Sequence, residues 1–213
     1  MKTVIVGAGG YAKEIAFLLA RKPEFELLGF ADDRYPLVQE EVCGKPILGK
    51  IADLLTWEEK TAVVLGIANP AAKQKIYQQL KQNPQLSFPN LVDETALVGF
   101  NIRLGIGNVL MPYTTYTSDI TIGDFNMFNM HTTIGHDTVI GDFNAFFPSV
   151  NISGNVTIQD KNQFGVGTKV IQGLAIGTDN IIGAGSVVIR EINNSSKHVG
   201  VPTKIIESWD LNE

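Results

Sequence analysis

A single cysteine, Cys43, among 213 residues excludes an internal disulfide framework. No apolar run reaches the 18 residues that suggest a spanning helix, so membrane insertion is not expected. The opening Met1-Lys2-Thr3 carries no signal-peptide pattern, and a cytoplasmic protein is the expectation. Positive charge is in deficit: 17 Lys and Arg against 22 Asp and Glu give a net charge of −5. Without a basic stripe, nucleic acid is excluded as the main partner. Histidine is scarce too, with three in the chain.

What the chain has in abundance is periodicity. From Leu104 to Val188 every sixth residue is apolar: Leu104, Leu110, Tyr116, Ile122, Phe128, Ile134, Ile140, Phe146, Ile152, Ile158, Phe164, Val170, Ile176, Ile182 and Val188. At 44% hydrophobic residues, fifteen such hits arise by chance about 5 times in a million, so the repeat is real. Six residues is the period of a β-helix of hexapeptides, with one side chain per side pointing inward. Asn108, Asn126, Asn144, Asn162 and Asn180 add a period of 18, the length of a three-sided coil. Asn tolerates the left-handed conformation, so these residues are expected at a repeated corner. Val92 and Val98 keep the phase and are expected to begin an opening coil.

The first hundred residues read differently. Strands are expected at Thr3–Val6, Phe25–Ala31 and Thr61–Ala68, with a short edge element at Lys45–Gly49. Helices are expected at Tyr11–Arg21, Asp53–Lys60 and Pro70–Gln82, the last opened by Pro70. This alternation predicts a small parallel sheet of three or four strands covered by helices. The fold class is therefore α/β plus all-β: a Rossmann-like βαβ domain at 1–90, then a β-helix domain with a C-terminal tail at 91–213.

Gly7-Ala8-Gly9-Gly10-Tyr11-Ala12 lies between a strand and a helix and fits the G-x-G-x-x-G/A fingerprint. Its glycines allow phosphates to approach a helix N-terminus. Asp32, followed by Asp33, stands where an acidic residue meets a ribose hydroxyl. A dinucleotide such as NAD needs two such halves, and the domain is large enough for one. A mononucleotide is the better match, with a turn that merely permits close helix–sheet packing as the alternative.

In the coils, Asn129-Met130-His131-Thr132-Thr133-Ile134-Gly135-His136-Asp137 holds two of the histidines. Ile134 takes the inward position, which leaves His136 at a corner and pointing outward. Asp137 can orient its imidazole and raise its basicity. His-x4-His also suggests zinc, as in β-helical carbonic anhydrases, but a third ligand is missing, so no metal is expected. For His131 alone the plain reading is a surface histidine.

Val4-Ile5-Val6-Gly7-Ala8-Gly9-Gly10-Tyr11-Ala12-Lys13, the coil motif Ile134-Gly135-His136-Asp137 and the closing Gly200-Val201-Pro202-Thr203-Lys204 together resemble a bacterial sugar acetyltransferase family. Its members include the N-acetyltransferases of bacillosamine and perosamine synthesis and the sialic-acid O-acetyltransferase type. The resemblance implies a homotrimer of left-handed β-helices with active sites between subunits and acetyl-CoA along the coils. It implies a nucleotide-sugar acceptor at the N-terminal domain, near Gly7, Gly9, Gly10, Tyr11, Asp32 and Asp33. It implies His136 as general base, Asp137 as its orienter, and Asn129, with His131 as a further candidate, lining the acceptor site. Gly154 matches a glycine whose amide meets the thioester carbonyl. Gly165, Gly173, Gly183 and Gly185 either leave room for a pantetheine arm or are ordinary corner glycines, and Lys204 is a candidate for a CoA phosphate. Many relatives carry His where Tyr11 stands, and some carry a second coil His where this chain has Ala145. The expected reaction is acetyl transfer to the amine of a nucleotide-linked sugar for surface polysaccharide or glycan synthesis. Sugar O-acetylation, a metal hydratase and a non-catalytic nucleotide-binding scaffold are the rivals.

Overall fold

The computed structural model describes residues 1–36 and 41–210. They form two compact units, Met1–Pro89 and Asn90–Glu213.

The first unit is built on β1 (Lys2–Val6), whose Val4, Ile5 and Val6 are fully buried. Around it run α1 (Gly10–Leu19), β2 (Glu26–Ala31), β3 (Glu41–Val42), β4 (Lys45–Gly49), β5 (Thr61–Leu65), α2 (Pro70–Leu80) and β6 (Leu86–Ser87). The sheet order is β3-β4-β2-β1-β5-β6. All neighbours are parallel except β3 and β4, a hairpin turned by Cys43 and Gly44 at positive φ. The sheet thus has six strands, more than the three or four expected, because β3 and β6 are two-residue strands too short to show a period. Lys45–Gly49 is not the edge, since β3 lies outside it. The expected helix at Asp53–Lys60 is a 3₁₀ turn at Ile51–Thr56.

Helix α1 buries Ala12, Ile15, Ala16, Leu18 and Leu19. Its approach to the sheet depends on Gly66, where a Cβ would lie 2.8 Å from the Ala12 Cβ. Helix α2 starts as its sequence predicts: the Asn69 side chain accepts from the Ala72 N–H at 2.9 Å, and Pro70 needs no partner in the first turn.

The second unit is a three-sided, left-handed parallel β-helix. Parallel pairs repeat at a spacing of 18, such as Phe128 with Phe146 and Ile134 with Ile152. The opening coil forms, with Leu91–Val92 paired to Val109–Leu110. The apolar residues at every sixth position are buried from Leu110 to Val188. Phe128, Phe146 and Phe164 stack face to face inside, with centroids 4.8 Å apart at each step.

Asparagine plays a different part from the one expected. The left-handed corner residue is the one before it: Phe125, Phe143, Lys161 and Asp179, at φ of 55, 58, 60 and 61°. The asparagines themselves point inward and are buried. Each Oδ1 accepts the backbone N–H of the asparagine one coil on, at 2.9, 2.8, 2.8 and 3.0 Å from Asn108 to Asn180. The same oxygens also accept from the next Nδ2. Asn90 starts this ladder and Ser196 ends it. A buried amide is costly unless bonded, and here each one bonds its neighbours.

A second ladder explains the repeated Gly-Asp pair. The Asp142 Oδ1 accepts the Asp124 N–H at 2.7 Å, and the Asp160 Oδ1 accepts the Asp142 N–H at 2.8 Å. A Cβ at Gly123 or Gly141 would meet the next carboxylate at 2.1 or 2.2 Å, so only glycine fits. Burial, with the charges of Asp124 and Asp160, raises the Asp142 pKa.

Two stability predictions follow from the ladders. Asn144→Ala strips partners from Asn126 and Asn162 at once and is expected to cost about 2–4 kcal/mol in urea denaturation. Asp142→Asn keeps the acceptor and removes the like charge. A raised carboxylate pKa costs stability above that pKa, and the cost vanishes as pH falls below the unfolded value. Asp142→Asn is therefore expected to raise the melting temperature at pH 7, with the gain shrinking toward pH 4.

Candidate functional site

The corner that carries His136 is shaped by its neighbours. Ile134 faces inward, fully buried. Gly135 has no room for a side chain, because a Cβ would lie 2.5 Å from the Gly154 nitrogen. Asp137 adopts φ 55°, a conformation open to short polar residues. The chain then turns His136 outward, with its side chain 63% exposed. The imidazole Nδ1 lies 2.7 Å from the Asp137 Oδ2. A carboxylate accepts, so Nδ1 carries the hydrogen and the neutral ring presents a lone pair at Nε2.

That Nε2 overhangs Gly154 on the next coil. A Cβ at Gly154 would fall 2.5 Å from it and 2.6 Å from Cε1. Gly154 therefore vacates the space the ring occupies. The backbones are locked as well, with the Asn155 N–H donating to the His136 carbonyl at 2.7 Å.

Asn129 and His131 lie close to His136 in sequence and far from it in space. His131 is at the preceding corner, at φ 61°, stacked on Tyr113 with centroids 5.4 Å apart. A whole side of the coil separates it from His136, roughly 16 Å at strand rise. Asn129 is buried on the same far corner, its Oδ1 accepting the Met130 N–H at 2.7 Å. Gly165 and Gly183 follow Asn129 down the coils at 18-residue spacing, with one non-glycine, Phe147, between, and Gly185 lies in the row of His131. Of the other candidate cofactor glycines, Gly173 joins Gly154 at the corner of His136 and Asp137, beneath Asn155. Lys204 begins the outer strand, Lys204–Ser208, of the closing hairpin. One chain thus spreads the candidate residues over two corners. The row through His136 continues to Gln172 and Arg190, which sequence reading missed, although their spacing of 18 was there to find.

In the first unit, Gly7 is required by its own fold, at φ +94° and against Gly66. Gly9 and Gly10 are not: a Cβ on either would meet nothing within 4 Å. The space beside them is open, so their packing role is slight. Asp32 is engaged by its own chain. Arg34 holds both carboxylate oxygens at 2.9 and 2.8 Å, and the Ala8 N–H donates to Oδ2 at 2.8 Å. The Arg34 guanidinium and these amides hold the carboxyl at about 2. Asp33 accepts the Ile51 N–H at 3.1 Å. Asp32 therefore braces the glycine turn and Asp33 the start of the 3₁₀ turn, and Arg34 is a further residue that sequence reading missed. The Tyr11 hydroxyl is buried without a hydrogen-bond partner among the described residues, and burial pushes its pKa up. Among the described residues no cluster of three His, Cys, Asp or Glu can hold a metal ion. No helix among them is long and apolar enough to cross a membrane.

The PglD N-terminal domain family matches residues 2–80. No curated protein matches the chain. Solved structures do. The acetyltransferase domain of PglB from Neisseria gonorrhoeae FA1090 is 25% identical, with a TM-score of 0.91 over 96% of this chain and 99% of that one. PerB from Caulobacter crescentus, solved with CoA and GDP-perosamine, is 28% identical, with a TM-score of 0.89 over 97% of this chain and 98% of that one. WeeI from Acinetobacter baumannii AYE is 28% identical, with a TM-score of 0.85 over 97% of this chain and 100% of that one. The PglD-type N-terminal domain at residues 2–80 and the full-length likeness to these structures support the resemblance to the bacterial sugar acetyltransferases that join such a domain to a β-helix of hexapeptide coils.

Proposed function

We propose that this protein transfers the acetyl group of acetyl-CoA to the amino group of a nucleotide-linked amino sugar, with His136 as general base. The observation that carries the reading is the His136 imidazole, held by Asp137 at 2.7 Å with Nε2 hung over Gly154. The full-length likeness to PerB, solved with CoA and GDP-perosamine, supports the substrate class.

In this reading Nε2 takes a proton from the sugar amine as its nitrogen attacks the thioester carbon. The Asp137 carboxylate stabilises the imidazolium that forms. The amide of Gly154 meets the oxyanion of the tetrahedral intermediate. As the C–S bond breaks, the imidazolium returns the proton to sulfur, and amide and free thiol leave. The nucleotide of the acceptor occupies the open space beside Gly9 and Gly10, where helix α1 offers its N-terminus. Asp32 holds the edge of that space through its bond to the Ala8 N–H.

The active protein in this reading is a homotrimer. His136 stands 63% exposed, a poor setting for a base that must meet a buried reaction. Asn129, His131, Gly165, Gly183 and Gly185 occupy a different corner from His136, Gly154 and Gly173. Both sets can line one groove only where the corner of one copy faces the other corner of the next. The cytoplasmic location, the place in surface glycan synthesis, and Lys204 at a CoA phosphate belong to the same reading.

The test is thiol release from acetyl-CoA with UDP-, dTDP- and GDP-linked 4-amino sugars, with sialic acid alongside. Release with a nucleotide amino sugar is expected, and release with sialic acid alone would replace N-acetylation by O-acetylation. His136→Ala is expected to lower kcat/KM by about 10²–10⁴-fold, and undiminished turnover would remove the base from the mechanism. Gly154→Ala keeps an ordinary backbone conformation and pushes the exposed ring aside. It is expected to cost about 100-fold in kcat, the scale of a misplaced reacting group, while its melting temperature stays near that of wild type.

A further inference from the structure

We infer that Phe100 is a specificity-determining residue for the acceptor, its ring carrying the C–H face of the sugar whose amine meets His136. This rests on the acetyl-transfer reading above and adds a residue that the reading leaves unused.

Register places Phe100. It pairs with Ser118, and the Asp137 N–H donates to the Ser118 carbonyl at 3.1 Å. Phe100, Ser118, His136 and Gly154 thus follow one another down a single corner, one per coil. The local geometry repeats with them. Gly99 precedes Phe100 as Gly135 precedes His136, and neither glycine has room for a side chain: a Cβ at Gly99 would lie 1.8 Å from the Thr117 carbonyl oxygen. Asn101 follows Phe100 at φ 54°, as Asp137 follows His136 at φ 55°. The Asn101 Nδ2 donates to the Asp119 Oδ1 at 2.9 Å, which ties this corner to the next coil. The turn that sends His136 outward sends Phe100 outward too, and Phe100 is 82% exposed.

A solitary exposed apolar residue needs no explanation. Phe100 has company, because Leu97 and Val98 on the same strand, Leu97–Leu104, are exposed as well. Such a patch marks a surface that meets something, and its place in the row says what. Between Phe100 and the base stands only the small, half-buried Ser118. The imidazole leans the other way, over Gly154. An open stretch of row is left, bounded by His136 and Phe100, two coil steps or about 10 Å apart. A pyranose suits it. From a 4-amino nitrogen to the anomeric oxygen runs five bonds, about 6 Å at extended-chain spacing, and an aromatic contact takes up about 4 Å more. In the reading above the thioester lies at Gly154, so donor and acceptor reach the imidazole from opposite ends of one row. The face of a phenyl ring is negative, which suits the weakly positive C–H groups of a sugar. The Ser118 hydroxyl offers a donor and an acceptor to the sugar's polar edge.

The experiment is steady-state kinetics on wild type, Phe100→Ala, Phe100→Tyr and Ser118→Leu. The acceptor is whichever of the UDP-, dTDP- and GDP-linked 4-amino sugars the wild type acetylates, and light scattering reports the mass in solution. Phe100→Ala is expected to raise the acceptor KM about 3- to 10-fold, the scale of an aromatic contact. Its kcat and its KM for acetyl-CoA are expected to stay within about twofold, the pattern of a lost binding contact away from the reacting atoms. Phe100→Tyr keeps the ring face and is expected to match wild type. Ser118→Leu fills the gap and is expected to raise the acceptor KM while sparing that of acetyl-CoA. An acceptor KM unmoved in Phe100→Ala or Ser118→Leu would overturn the assignment. So would an equal loss for both substrates, or a smaller mass for Phe100→Ala, which would mark Phe100 as a contact between copies of the chain. Either result leaves the acetyltransferase reading standing, whereas a wild type that acetylates none of these sugars would overturn both.

Discussion

The whole β-helix depends on one constraint, that each coil hydrogen-bonds to the next at a spacing of 18 residues. Backbone pairing alone would tolerate a slip, because one hexapeptide strand resembles another. The buried asparagines do not. An inward amide displaced by one residue would lose its acceptor and sit unbonded in an apolar interior, at a cost of several kcal/mol. Four successive Oδ1-to-N–H links from Asn108 to Asn180 therefore fix the register that the apolar core only favours. The glycines ahead of the aspartates reinforce it, since Gly123 and Gly141 are the positions where a neighbouring carboxylate fits.

Fixed register turns a repeat into a ruler. Every outward position becomes a straight row, and a row can be occupied by function without cost to the core. The His136 row shows this use. The imidazole occupies the space above Gly154, the backbone bonds beside it keep their pattern, and the inward Ile134 and Ile152 pack as in any other coil. In the proposed reading the chemistry is added at a corner, where left-handed residues already turn side chains outward. The same geometry sets apart what the sequence places together: neighbours in sequence along one side lie at different corners, and neighbours in space are 18 apart.

Much of this was legible in the sequence, and the parts that were not share a cause. The sixfold apolar pattern identified the β-helix because inward positions accept little else. His136 at an outward corner followed from Ile134 pointing inward. The asparagines were placed at the left-handed positions because Asn suits that conformation. The corner is in fact closed by coil geometry, which forces Phe125, Phe143 and Lys161 into it despite a cost of about 1–2 kcal/mol each. Residue preference was a weaker guide than closure. Five residues separate His131 from His136 and invite a pairing, whereas eighteen separate His136 from Gly154. In a three-sided coil the second pair shares a corner and the first does not.

The N-terminal unit shows the opposite case, a motif that is local and visible but whose parts divide between fold and site. Gly7 and Asp32 belong to one fingerprint. The structure commits Gly7 to a backbone turn against Gly66 and commits Asp32 to Ala8 and Arg34. Gly9 and Gly10 have no such employment. A glycine with no steric need in its own fold is best explained by something that approaches from outside. Arg34 also changes what Asp32 can offer. A carboxylate already neutralised by a bidentate guanidinium repels an incoming phosphate less than a bare one would. The turn can then receive an anionic ligand beside an acidic residue, which a protein of net charge −5 would otherwise oppose.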